Sequence, residues 1–119
     1  MSRYIDGYIL PLPKKNIEAY RQQATTAGKV WKEHGALDYV ECIAEDVKPG
    51  KVTSFPQAVK LEADETVVFG WVVFESRAER DRINALVMKD PRLAGMNPKT
   101  LPFDGMRMFW GGFDLFVEA

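Results

Sequence analysis

Apolar residues alternate with polar or small ones from Tyr4 to Leu12, the period-two pattern of a strand, which Pro11 and Pro13 close by withholding backbone donors. From about Lys14 to Gly35 the period lengthens. Ile17, Tyr20, Ala24, Ala27 and Trp31, with His34 continuing the series, recur at steps of three and four and line one face of a helix. Lys15, Glu18, Arg21, Lys29 and Glu33 take the opposite face, and Gly35 is placed to end the helix in a left-handed conformation. Ala36 to Ala44 reads as a second strand, Val67 to Glu75 as a third and Met106 to Val117 as a fourth, bent or bulged at Gly111-Gly112. Between the second and third strands, Ser54 before Phe55-Pro56 caps a short helical turn. Ser76-Arg77-Ala78-Glu79 has the form of a capping box, opening a helix that buries Ala78, Ile83, Leu86 and Val87 and stops before Asp90-Pro91. Residues 93–105, with Pro98 and Pro102, read as a loop.

The order βαββαβ predicts an α+β, ferredoxin-like fold: a four-stranded antiparallel sheet in the order four-one-three-two, with two helices on one face. Residues 1–119 read as a single domain. Both parities of the third strand are apolar, Val67, Phe69, Trp71 and Val73 on one side and Val68, Gly70, Val72 and Phe74 on the other. An antiparallel sheet with one wet face alternates apolar with polar instead. Two helices cover only one face, so the other predicts burial against a second copy of the chain, giving a homodimer.

Composition narrows the classes. The net charge is −1, with 16 basic against 17 acidic side chains, and this disfavours nucleic acid as a partner. Cys42 is the single cysteine, so no internal disulfide forms; with no apolar run of membrane-spanning length, the reading is a cytoplasmic protein. One histidine and one cysteine leave no His/Cys metal site within a subunit, and no phosphate loop or dinucleotide fingerprint implies a cofactor.

Candidate chemistry rests on few residues. His34 is the only side chain with an unperturbed pKa near neutrality, a candidate general base in a pocket between helix and sheet. Asp6 in the first strand and Arg107 in the last are expected as neighbours, forming an ion pair or orienting a polar substrate. Trp31, Trp71, Tyr8 and Phe55 are candidate walls of an apolar ligand site, with the 51–59 segment as its lid.

Several stretches resemble one family. Tyr4-Ile5-Asp6-Gly7-Tyr8, Trp31-Lys32-Glu33-His34-Gly35-Ala36-Leu37, Lys51-Val52-Thr53-Ser54-Phe55-Pro56 and Pro102-Phe103-Asp104-Gly105-Met106-Arg107-Met108 look like the YbaA-like bacterial proteins of unknown function, across nearly the whole chain. That resemblance implies a dimeric α+β barrel, a superfamily that includes cofactor-independent monooxygenases and isomerases alongside ligand-binding regulatory domains. It implies architecture and leaves the reaction open.

The reading is therefore a cytoplasmic homodimer that binds, or also turns over, a small apolar or aromatic molecule between helices and sheet. Two alternatives stand beside it. One is a non-catalytic accessory or sensor dimer. The other is an RNA-binding module, since Phe69-Gly70-Trp71-Val72-Val73-Phe74 fits the core of the RNA-recognition motif, though an exposed basic sheet face is then required.

Overall fold

The computed structural model of the chain describes residues 2–94 and 99–119. Four strands, β1 (Tyr4–Pro13), β2 (Asp38–Ile43), β3 (Glu65–Phe74) and β4 (Phe109–Asp114), form one antiparallel sheet in the order β2-β3-β1-β4. Helix α1 (Ile17–His34) links β1 to β2, a short α2 (Phe55–Ala58) precedes β3, and α3 (Arg77–Lys89) follows it. The sheet order and both long helices are those expected from the hydrophobic pattern.

Local chemistry explains the boundaries. Ser54 accepts a hydrogen bond from the Gln57 amide and Ser76 from the Glu79 amide, so each satisfies a helix-start donor. Gly35 closes α1 with φ +121°, a conformation that suits glycine, and the Ala36 amide reaches back to the Trp31 carbonyl at 3.0 Å.

The helices share the sheet face that carries Tyr4, Val72 and Phe74. Val30 of α1 and Ile83 and Val87 of α3 are fully buried against these residues. Each such side chain contributes about 1.5–3 kcal/mol of gross burial energy. Val30 is a core residue outside the expected helical stripe, whereas Ala78 and Leu86, expected inside, are exposed; α3 is rolled so that Ile83 and Val87 point at the sheet. Leu10, Leu12 and Val68 form a separate cluster, backed by Ile17 and Tyr20, and Tyr8 packs against both clusters.

The last strand is shorter than expected. Residues Gly105–Arg107 form a 3₁₀ turn, in which the Asp104 carboxylate accepts the Met106 amide at 3.0 Å. Gly111 and Gly112 do not bulge, because β4 stays in register with β1 from Ile9↔Phe109 to Tyr4↔Asp114. Gly112 instead clears space: a Cβ there would lie 2.4 Å from the Tyr4 hydroxyl and 2.8 Å from Arg80 Nη2. Of the expected loop 93–105, residues 95–98, Pro98 included, lie outside the described residues.

The opposite face of the sheet carries Ile5, Ile9, Phe69, Trp71, Phe109 and Phe113 at alternating register positions. Phe69 is 41% exposed, Phe109 46% and Phe113 61%. Helix α2 touches only its margin, where the Phe55 ring meets Phe69 edge-on at 5.9 Å between centroids.

Candidate functional site

A cavity of about 420 Å³ opens between the helices and the sheet, bordered by Leu10 of one core cluster and Val72 and Val87 of the other. Its size falls within the range of small-molecule sites, about 300–1,000 Å³. Small residues on α1 make the room: Ala24 and Ala27 line it between the larger Tyr20 and Trp31. One turn away, Gly28 accepts the Tyr39 ring so closely that a Cβ would sit 2.9 Å from it.

Two rows of side chains cross the sheet under this space. The first is Glu41, Gly70, Tyr8 and Trp110; the second is Tyr39, Val72, Asp6 and Gly112, each residue on a different strand. Because Gly70 has no side chain, the Tyr8 ring lies across it, its hydroxyl 2.6 Å from where a Cβ would be. Polar groups are thus gathered by register at the middle of an apolar surface.

Glu41 is the acceptor for two phenols. The Tyr39 hydroxyl donates to Oε2 at 2.7 Å and the Tyr20 hydroxyl donates to Oε1. Burial, reinforced by the carboxylate, pushes both phenols far above the usual tyrosine range, so they stay protonated donors. Tyr8 is raised too, by burial first and then by Tyr39 and Glu41. Its hydroxyl is buried near the Tyr39 hydroxyl and forms no well-aligned hydrogen bond among the described residues.

Asp6 is the second carboxylate of the cavity and is 7% exposed. Its Oδ2 accepts from Asn84 Nδ2 at 3.2 Å, while Asn84 Oδ1 accepts from Trp31 Nε1 at 3.0 Å, so helix and sheet are joined by a chain of three polar side chains. Asp6 Oδ1 accepts no hydrogen bond, although Arg80 Nη1 stands 3.7 Å away. Burial raises the Asp6 pKa; Asn84 and Arg80 oppose the shift without cancelling it.

Of the residues singled out from the sequence, Asp6, Tyr8 and Trp31 meet here. The others do not. His34 lies outside the lining: its Nε2 is 3.1 Å from Asp90 Oδ2 at the end of α3, in a surface cluster that Arg92 and Glu33 complete. Arg107 is not a neighbour of Asp6, because it sits in the turn before β4. It makes a bidentate pair with Glu65 at 2.7 Å per contact and reaches the Lys60 carbonyl at 3.0 Å. Trp71 and Phe55 belong to the opposite sheet face, and the 51–59 segment therefore does not cover this cavity.

Tyr39 and Asn84 were not anticipated. Tyr39 and Glu41 share one parity of β2, so a phenol beside a carboxylate on a helix-facing side was a readable signal. Asn84 follows Arg80 by one helical turn, beside the fully buried Ile83.

Among the described residues, no three His, Cys, Asp or Glu side chains gather in a way that would hold a metal ion. No helix among them is long and apolar enough to cross a membrane.

These features define a class: a ferredoxin-like α+β protein whose sheet and helices enclose a space of ligand size. The chain belongs to the family described as protein of unknown function (DUF1428), which it matches over residues 3–105. It is 44% identical to the uncharacterized protein YbaA of Escherichia coli K12 over 116 residues, 98% of each chain, and equally similar to the YbaA of Shigella flexneri. Among solved structures it resembles a dimeric ferredoxin-like protein from an uncultured marine organism, with a TM-score of 0.65 and 12% identity over the whole of both chains. It also resembles a nipsnap family protein of unknown function from Agrobacterium tumefaciens, with a TM-score of 0.59 and 16% identity, covering 96% of this chain and 88% of the other. Those two likenesses carry the fold.

Proposed function

We propose that this protein is a cytoplasmic, single-domain homodimer that binds a small apolar or aromatic molecule in the cavity between helices and sheet. The observation that carries the reading is the cavity itself: about 420 Å³ of space walled by aromatic and aliphatic side chains, with Asp6 Oδ1 and the Tyr8 hydroxyl buried beside it and unbonded. Buried polar atoms are rarely left without a partner, and a ligand that bonds them relieves a standing cost.

Binding ranks ahead of turnover. His34 is engaged by Asp90 away from the cavity, which leaves the carboxylates Asp6 and Glu41 as the groups of the lining able to take up a proton. The homodimer is supported by the exposed aromatic face of Phe69, Phe109 and Phe113, and the marine ferredoxin-like relative is itself described as dimeric. RNA binding is not supported, since the strand positions on that face carry no Lys or Arg.

A thermal-shift screen of small aromatic and aliphatic compounds tests the reading. A ligand at 100 times its Kd adds about 2.7 kcal/mol to stability, a shift of several degrees. Ala24→Phe, which fills the space from α1, is expected to abolish that shift. A screen without a hit, or an equal shift in the filled variant, overturns the proposal.

A further inference from the structure

We infer that the cavity selects an organic cation, an amine carrying an apolar or aromatic group, over acids and neutral analogues. This rests on the reading of the cavity as a ligand site and names the chemistry it recognises.

The charge of the described lining has one sign. Asp6 and Glu41 are its ionisable acids, and none of its described side chains is a Lys, Arg or His. The two carboxylates differ in how their charge is met. Asp6 has Arg80 close by, 3.7 Å from Oδ1. Among the described residues, Glu41 is bonded by the neutral hydroxyls of Tyr20 and Tyr39, one on each oxygen. Two hydrogen bonds hold a carboxylate in place without cancelling its charge, and each oxygen keeps a second lone pair for a further donor. A cation placed against Glu41 removes the mismatch with a charge-assisted bond.

The walls favour the same species. Trp31 and Trp110 face the space, with the Tyr8, Tyr20, Tyr39 and Phe103 rings. Aromatic faces attract cations, more strongly as water is excluded. Asp6 adds a second carboxylate to the lining, but with Arg80 3.7 Å from its Oδ1 the uncompensated charge is that of Glu41. An ammonium group has donors to give and no lone pairs that need satisfying.

An acid meets the opposite conditions. Its carboxylate would approach Glu41 with no lining cation to offset it. The phenolic protons of Tyr20 and Tyr39 are already given to Glu41, so the donors left in the lining, the Tyr8 hydroxyl and the side-chain N–H groups of Gln23, Asn84 and Trp110, are all neutral. A neutral alcohol bonds Tyr8 or Asp6 but gains nothing from the charge.

Calorimetric titration of the full chain with three near-isosteric probes tests this: phenethylamine, phenethyl alcohol and 3-phenylpropionate, at neutral pH. Phenethylamine is expected to bind at least tenfold more tightly than the alcohol, and 3-phenylpropionate more weakly than both. Glu41→Gln, which keeps an acceptor for one phenol and removes the charge, is expected to lower the amine-to-alcohol ratio at least tenfold. The wild-type ranking alone is decisive if that variant does not fold. An acid that binds as tightly as the amine, or an unchanged ratio in the variant, overturns the inference while leaving a ligand cavity. Failure of all three probes to bind overturns the inference together with the cavity reading beneath it.

Discussion

The Tyr8 ring lies across Gly70, with its hydroxyl and Cζ each 2.6 Å from the position a Cβ on residue 70 would occupy. Gly70→Ala therefore pushes the ring off the sheet and into the cavity. Overpacking of this kind costs about 1–3 kcal/mol. Urea unfolding is expected to show that loss in Gly70→Ala, and to show that Tyr8→Ala in the same chain removes most of it. If the two substitutions add instead, the contact does not carry the strain.

Among the described residues, the Tyr8 hydroxyl is buried without a well-formed hydrogen bond. Removing an unsatisfied polar atom is neutral or favourable, so Tyr8→Phe is expected to hold stability or raise it by up to ~1 kcal/mol. A clear destabilisation would show that the hydroxyl is bonded after all. Chemical denaturation of the ligand-free protein decides it.

Arg107 holds the turn before β4 against the start of β3 through its two contacts with Glu65, whose side chain is 4% exposed. Arg107→Ala leaves that carboxylate buried and uncompensated and is expected to cost about 3 kcal/mol, the low end for such pairs because Arg107 is itself partly exposed. The hydrogen bonds from Arg107 hold the Glu65 pKa below its ordinary value, against the opposing effect of burial. A depressed folded-state pKa gives stability that is full above about pH 4.3, the unfolded value, and lost as pH falls through the folded one. Wild type is therefore expected to lose stability more steeply than Glu65→Gln on acidification from pH 5 to pH 3.

His34 and Asp90 sit 3.1 Å apart, outside the cavity. Asp90 is held far below the usual carboxylate range by Arg92 first and by His34 after it. His34→Ala is accordingly expected to leave ligand affinity within about twofold of wild type, since nothing bound in the cavity touches it. A tenfold loss of affinity would return the histidine to the site.

On the open sheet face, Phe69 and Phe113 are exposed enough to change without disturbing the protomer's core. Phe69→Glu with Phe113→Glu is expected to convert a dimer into a 13.5 kDa monomer of unchanged circular dichroism. Sedimentation measures both masses. A wild-type chain that already sediments as a monomer ends the dimer reading.

The sheet order was legible because hydrophobic period and end signals agreed: Ser76 caps α3 and Gly35 closes α1 as their positions suggest. The site was legible only in part. Asp6, Tyr8 and Trp31 were readable as polar or aromatic residues on apolar faces, and they do meet. His34 drew attention for its titration range, but the chain gives no sign that Asp90, far along the sequence, claims it. The Asp6–Arg107 pairing failed for a local reason: Asp104 caps a 3₁₀ turn at Gly105–Arg107, delaying the last strand until Phe109. Trp71 failed for a topological one, since parity assigns a residue to a side of a strand without saying which side the helices take, and Phe55 lies with it because α2 meets the open face at Phe69.

The central position of β1 has a consequence for how the chain is made. Tyr4 pairs with Phe74 on one side and Asp114 on the other, so the first of the four strands to be made waits for the third and fourth to supply its neighbours. Leu10 and Leu12, which end fully enclosed, spend most of synthesis without a sheet to enter. Such distant pairings also slow refolding relative to a meander of the same size. The finished cavity, which Trp110 of β4 helps to line, exists only after the final strand has docked.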